Sequence, residues 1–172
     1  MNSSRRVYFI FLILVAGWCS LILAAPMLQS FSGQTQPLAA LLYRFFSRIC
    51  HQLAERSFQF NGHPWAVCIR CSSIYGGFLF GLLLFPLLQG FAKRRIPSRA
   101  WLLLACLPMI VDVALGLSGI HQSNVWTRLV TGLLFGVAAP FYLLPPLFEA
   151  VAQYFSQFST RKGDPLYARK TE

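Results

Sequence analysis

Residues 68–92 read CIRCSSIYGGFLFGLLLFPLLQGFA, and from Ser72 onward this stretch contains no charged side chain. A helix needs about 20 predominantly apolar residues to cross the hydrocarbon core of a bilayer. The stretch therefore reads as a membrane span entered through a Cys-x-x-Cys turn. Three further runs have the same character: residues 7–28, 100–120 and 129–148, of which only 100–120 holds a charged residue, Asp112. In lipid each must be helical, because an unpaired backbone amide finds no water there. Working outward from these runs, the fold expected is all-α, a polytopic bundle of four transmembrane helices plus one interfacial amphipathic helix.

Composition agrees with a lipid solvent. Hydrophobic residues make up 56% of the 172 and charged residues only 12%, where a soluble domain is about one quarter charged. A disordered chain is excluded on the same numbers. The first run resembles a secretory signal, with Arg5 and Arg6 before it and small residues at Leu23-Ala24-Ala25. It is longer than a signal's apolar core of about 7 to 15 residues, and Trp18 before Cys19 spoils a lipoprotein site. It is read as an uncleaved first helix.

The 15 Lys and Arg greatly outnumber the 5 Asp and Glu, and their placement gives orientation. Ten fall on one side of a four-span arrangement: Arg5, Arg6, Lys93, Arg94, Arg95, Arg99, Arg161, Lys162, Arg169 and Lys170. Five fall on the other: Arg44, Arg48, Arg56, Arg70 and Arg128. Basic residues are retained in the cytoplasm, so both termini are expected there, in a bacterial inner membrane, with residues 29–71 outside. Residues 1–155 form the single membrane domain and 156–172 a polar cytoplasmic tail. Because the cations bracket spans instead of forming one stripe with interleaved aromatics, no nucleic-acid partner is expected. Bilayer and anionic lipid headgroups are the expected partners.

The external loop carries the chemistry. Pro37 opens a helix whose Leu38, Leu41, Leu42, Phe45 and Ile49 recur at helical spacing, with Arg44 and Arg48 on another face. Such a helix lies flat on the leaflet and delivers Cys50 and His51 at its end. His63 follows, then Cys68 and Cys71, so three thiols and two imidazoles fall within 22 residues. Two thiolates at Cys-x-x-Cys spacing meet one tetrahedral ion, Cys50 adds a third, and one of His51 and His63 completes a three-thiolate, one-imidazole set. Zinc is the expected ion, with copper(I) also acceptable to soft ligands. The same residues suit a redox disulfide between Cys68 and Cys71 with Cys50 as resolving thiol, Arg70 favouring the thiolate. A structural clasp without turnover is the third reading. Cys19 and Cys106, inside spans, behave as small apolar residues.

The residues also carry a family likeness. Cys50-His51-Gln52, Glu55-Arg56-Ser57-Phe58, Cys68-x-Arg-Cys71 and Tyr75-Gly76 resemble the signature of a family of small bacterial and archaeal polytopic membrane proteins of unknown function. The likeness continues through Asp112 and the segment from Arg128 to Gly132 with Gly136, and covers about residues 45 to 140. Ser73 and Val113 stand where that family commonly has glycine. The resemblance implies a shared fold and a shared site, without naming a reaction.

An ionisable group within a span is costly in lipid and faces the bundle with a partner. For Asp112 the partner expected is Arg128, or His121 in the connecting loop, serving either to lock two spans or to handle protons or ions. Gln122, Ser123 and Asn124 read as a polar turn. Small residues recur every fourth position at Ser73, Gly77 and Gly81 and at Gly132, Gly136 and Pro140, which points to close packing of the second and fourth spans running in the same direction. Pro108, Pro140 and Pro145 are candidate kinks, and Trp18, Trp65, Trp101 and Trp126 suit interfacial anchoring. No phosphate loop or dinucleotide fingerprint occurs. With Glu55 the only carboxylate beside the external cluster, a paired-carboxylate hydrolase is not expected.

Overall fold

A computed structural model describes residues 3–31, 35–89, 96–119 and 123–162, with side chains from residue 5 to 154 within those segments. Four helices are long and apolar enough to cross a membrane: α1 (Ser3–Ser30), α3 (Ile69–Leu88), α4 (Arg99–Leu117) and α5 (Val125–Lys162). A shorter helix, α2 (Gln36–Phe46), stands between α1 and α3. The fold is the expected all-α bundle. His121 and Gln122, as well as Lys93, Arg94, Arg95, Arg169 and Lys170, lie outside the described residues. α5 stays helical through residue 162, past the point where the polar tail is expected to begin.

α3 and α5 form the centre. A Cβ placed on Gly77 would stand 2.8 Å from the Leu133 carbonyl oxygen, one on Gly81 2.5 Å from that of Val137, and one on Gly132 2.8 Å from that of Arg70. Gly136 is pressed equally hard against Ile74. The order of these contacts shows the two helices running in the same direction, as the four-residue spacing implies. Missing side chains let the backbones approach, and dispersion between them replaces the hydrophobic drive that lipid does not supply.

α1 covers one side of this pair, with Tyr8 Oη donating to the Leu82 carbonyl at 2.9 Å. Tyr8, Leu82, Phe85, Leu144 and Phe148 make one apolar core. A second, at the opposite end, gathers Ile22, Ala25, Leu42, Phe46, Cys50, Ala66 and Val67. α4 is peripheral, and Asp112 is its one buried residue among those described.

α2 begins at a proline in its first turn and buries Ala39, Leu42 and Phe46. Of the expected anchoring stripe, Leu38, Leu41, Phe45 and Ile49 are exposed, while Leu42 turns into the core. The helix is apolar over more than half its girth, so periodicity alone does not separate the face that meets α1 from the face that meets the bilayer. Arg44 and Arg48 are exposed, as expected.

Between α2 and α3 the chain makes a 3₁₀ turn (Ala54–Arg56) and a small hairpin, β1 (Gln59–Phe60) and β2 (His63–Pro64). Asn61 and Gly62 link the strands with φ of 48° and 79°, the left-handed pair that a two-residue hairpin turn requires and Asn-Gly supplies. The Trp65 amide donates to Phe58 at 2.7 Å and closes its base.

Candidate metal centre

Two elements bring the three thiols together. The chain leaving α2 continues its turn, the Cys50 amide donating to Phe46 at 3.0 Å, which turns Cys50 into the core beneath α2. Cys68 is the N-cap of α3 and Cys71 lies one turn further in. The sulfurs of Cys50, Cys68 and Cys71 all lie within 4.8 Å of one another. Cys50 is buried, and the other two are half-buried at the helix mouth. The Cys68 amide donates to Cys50 Sγ at 3.1 Å, which ties that sulfur to the mouth of α3. All five cysteines are free thiols.

A clamp holds this geometry. Gln52 Nε2 donates to the carbonyls of Tyr43 at 2.8 Å and Ala66 at 2.7 Å, tying the segment after Cys50 to the segment before Cys68. Gln52 itself sits at φ 52°, so the chain reverses sharply here to let the amide turn back. Tyr43 Oη donates to the Pro64 carbonyl and fixes the hairpin to α2. Trp18, Trp65 and Tyr75 complete an apolar wall, Trp18 meeting Tyr75 edge to face at 5.8 Å. Cys19 stands behind that wall and donates to the Tyr75 carbonyl at 3.6 Å. The clamp was not anticipated from the sequence; its signals were a glutamine directly after the Cys-His pair and the Asn-Gly turn.

Neither imidazole joins the sulfurs. Side chains of adjacent residues diverge, and with Cys50 turned inward His51 is exposed; His63 is held in β2 by pairing with Phe60. The set within reach of one centre is therefore three thiols with a fourth position open. Tetrahedral zinc at about 2.3 Å from sulfur needs sulfurs about 3.8 Å apart, a contraction of at most about an ångström from the separations present.

Cys68 is strongly acidified, from an ordinary 9.0 to about 5. The main cause is the Cys71 thiol, which donates to the Cys68 sulfur; burial opposes it, and the Cys50 thiol and the backbone of Cys71 and Arg70 assist. The Arg70 guanidinium is not among those causes. It turns away from the sulfurs, and Nη2 pairs with Oδ2 of Asp112 on α4. This corrects two expectations: Arg70 does not charge-stabilise the thiolate, and Asp112 pairs with Arg70 and not with Arg128. α3 starts three residues before the expected span, which puts Arg70 in its first turn, facing α4. Arg128, in the first turn of α5, instead lines a neighbouring cavity together with Arg70 and Asp112.

The comparisons with known proteins agree with this architecture. Residues 50–142, more than half of the chain, match the family described as predicted membrane protein, DUF2085. The chain belongs to the DUF2085 family. An uncharacterised protein of Methanocaldococcus jannaschii is 35% identical over 155 residues, covering 88% of this chain and 99% of the relative. An uncharacterised protein of Methanothermobacter thermautotrophicus is 36% identical over 93 residues, 54% of this chain and 81% of that relative. No solved structure matches. The DUF2085 match begins at Cys50 and takes in all three clustered thiols, Asp112 and Arg128.

Proposed function

We propose that this DUF2085 protein binds one thiophilic transition-metal ion, zinc in the first place, through Cys50, Cys68 and Cys71, and uses it in a binding or sensing role at the outer rim of a cytoplasmic membrane. The observation that carries the reading is the approach of three sulfurs to within 4.8 Å of one another. Three thiols at this spacing can give up their protons to one cation that offsets the repulsion of the resulting thiolates, whereas a disulfide needs only two. Three protein ligands with an open fourth position distinguish exchangeable or reactive zinc from closed structural sites. Copper(I) is the competing occupant by ligand softness. The charge count along the sequence supports cytoplasmic termini, which would put the thiols and the exposed Arg44 and Arg48 among anionic headgroups on the outer face.

The test is elemental analysis beside thiol counting on protein purified in mild detergent without chelator. About one ion per chain is expected, with the clustered thiols resisting alkylation until a chelator is added and Cys68→Ser losing the ion. Metal-free protein with a Cys68 to Cys71 disulfide that opens with dithiothreitol would overturn the reading.

That second outcome belongs to a rival reading, membrane thiol-disulfide exchange, which the acidity of Cys68 at the mouth of α3 favours. In it the Cys68 thiolate attacks a partner's disulfide and forms a mixed disulfide. Cys71, giving up its proton, displaces the partner as a dithiol and closes the Cys68 to Cys71 bond. The partner is reduced by two electrons and the chain oxidised by two.

A further inference from the structure

Beside the thiols, between the 3₁₀ turn and the first turns of α3 and α5, lies a cavity of about 790 Å³. Its charged walls are Arg56, Arg70 and Arg128, each from a different element, against Glu55 and Asp112. Asp112 is already held by Arg70. Two guanidiniums therefore share a single remaining carboxylate, Glu55, which is exposed. The Nε atoms of Arg70 and Arg128 are buried and have no hydrogen-bond partner. Arg56 and Arg70 repel Arg128, while Asp112 attracts it.

Such an arrangement is expensive where lipid meets protein, since cations at helix ends within a bilayer are kept with a partner or led to water. Among the described residues of the cavity, the exposed Glu55 is the one carboxylate left to balance it. Val113 and Leu117 of α4 add apolar lining to the cavity, and low-dielectric walls beside charges strengthen their field on any anion that enters.

We infer that this cavity binds a phosphate group. Guanidinium forks pair with phosphate oxygens two at a time, and forks arriving from three elements suit a tetrahedral oxyanion with several acceptors better than the two oxygens of a carboxylate. The volume falls within the range of about 300–1,000 Å³ typical of small-molecule sites, leaving room for what the phosphate is attached to. Its place at the end of a membrane bundle gives the phosphate two sources, a lipid headgroup or a soluble phosphate compound. The inference does not depend on the metal reading, because none of the three guanidiniums is a ligand in it.

The experiment uses the full chain in neutral detergent and phosphate-free buffer. Inorganic phosphate is titrated by calorimetry, and phosphatidylglycerol is added in a second arm read by native mass spectrometry. Saturable binding of one phosphate per chain is expected in at least one arm, and the arm that responds identifies the source. Arg128→Gln and the exposed-site variant Arg56→Gln should each weaken binding about tenfold, the loss of one charged hydrogen-bonded contact. Arg128→Lys should weaken it less, and Arg99→Gln, exposed at the far end of α4, should leave it unchanged. Thermal melting without probe establishes that each variant is folded, and unchanged thiol counts separate this site from the metal centre. Wild-type protein that binds neither probe, or folded Arg56→Gln and Arg128→Gln variants that bind like wild type, would overturn the inference.

Discussion

Arg70, the residue between Cys68 and Cys71, holds Asp112 of α4 in an ion pair whose carboxylate is 7% exposed and whose guanidinium is 24% exposed. One short motif thus supplies two thiols to one neighbourhood and a cation to another. The aspartate is also the one described residue of α4 that is buried, so the pair fastens this otherwise loosely held helix to α3.

Arg70→Gln should therefore destabilise the protein by leaving a buried carboxylate unpaired. Removing one partner of a fully buried pair costs about 3–5 kcal/mol; partial exposure of Arg70 brings the expectation to about 2–3 kcal/mol. Adding Asp112→Asn to the same chain should restore part of the loss, whereas Arg128→Gln should cost less than either partner's removal. Thermal or denaturant melting in detergent reads all of these, and a neutral Asp112→Asn would show that the pair contributes nothing.

The contact between α3 and α5 predicts a sharp contrast between two glycines of α3. Gly81→Ala places a methyl 2.5 Å from the Val137 carbonyl oxygen, where only backbone movement can relieve it. A cost of about 1–3 kcal/mol is expected, typical of overpacking. Gly76 has open space around it, so Gly76→Ala should be neutral or gain up to about 1 kcal/mol of helix propensity. Equal effects in the two variants would contradict the packing.

The acidity of Cys68 has a pH signature in metal-free protein. Its thiol is depressed from 9.0 to about 5, so between those values the unfolded chain holds the proton more tightly than the folded one. The stabilisation is complete above about pH 9 and is lost as the pH falls toward 5. Iodoacetamide should modify Cys68 with a midpoint near pH 5, and Cys71→Ala, which removes the principal hydrogen-bond donor, should move that midpoint upward. A Cys68 midpoint near 9 in the parent chain would remove the basis for the thiolate.

Gln52→Ala removes both hydrogen bonds of the clamp without touching a sulfur. Outer residues that orient metal ligands typically contribute about 10- to 100-fold in affinity, and a loss in that range is expected in a zinc competition assay. An unchanged zinc affinity would mean that the thiols are positioned without the clamp.

Orientation is tested by reporter fusions after Pro64 and after Phe158. A reporter active in the cytoplasm is expected only at the second. Cytoplasmic activity at Pro64 would reverse the proposed sidedness and place the thiols in the reducing compartment.

The spans were legible because lipid leaves no substitute for a long uncharged run, and Gly77, Gly81, Gly132 and Gly136 were legible because four-residue spacing puts them on one helix face. The clustering of Cys50, Cys68 and Cys71 is legible in their types and separation. What sequence spacing does not encode is rotation. Arg70 and Arg128 stand at the same end of the bundle, and only the start and turn of α3 decide which one meets Asp112. The inward turn of Cys50 in the same way commits its neighbour His51 outward, and the Asn61-Gly62 reversal carries His63 into a strand.

The tight seam between α3 and α5 imposes an order on synthesis. Gly77 and Gly81 rest on backbone that the ribosome has not yet made when α3 enters the bilayer, so lipid must cover that face until Leu133 and Val137 arrive and displace it. Every wall of the thiol cluster comes from residues before Gly76. A nascent chain can thus gather its three sulfurs while still tethered, whereas the arginine cavity comes into being only when the last helix brings Arg128. The two neighbouring sites are born at different moments in the life of one molecule.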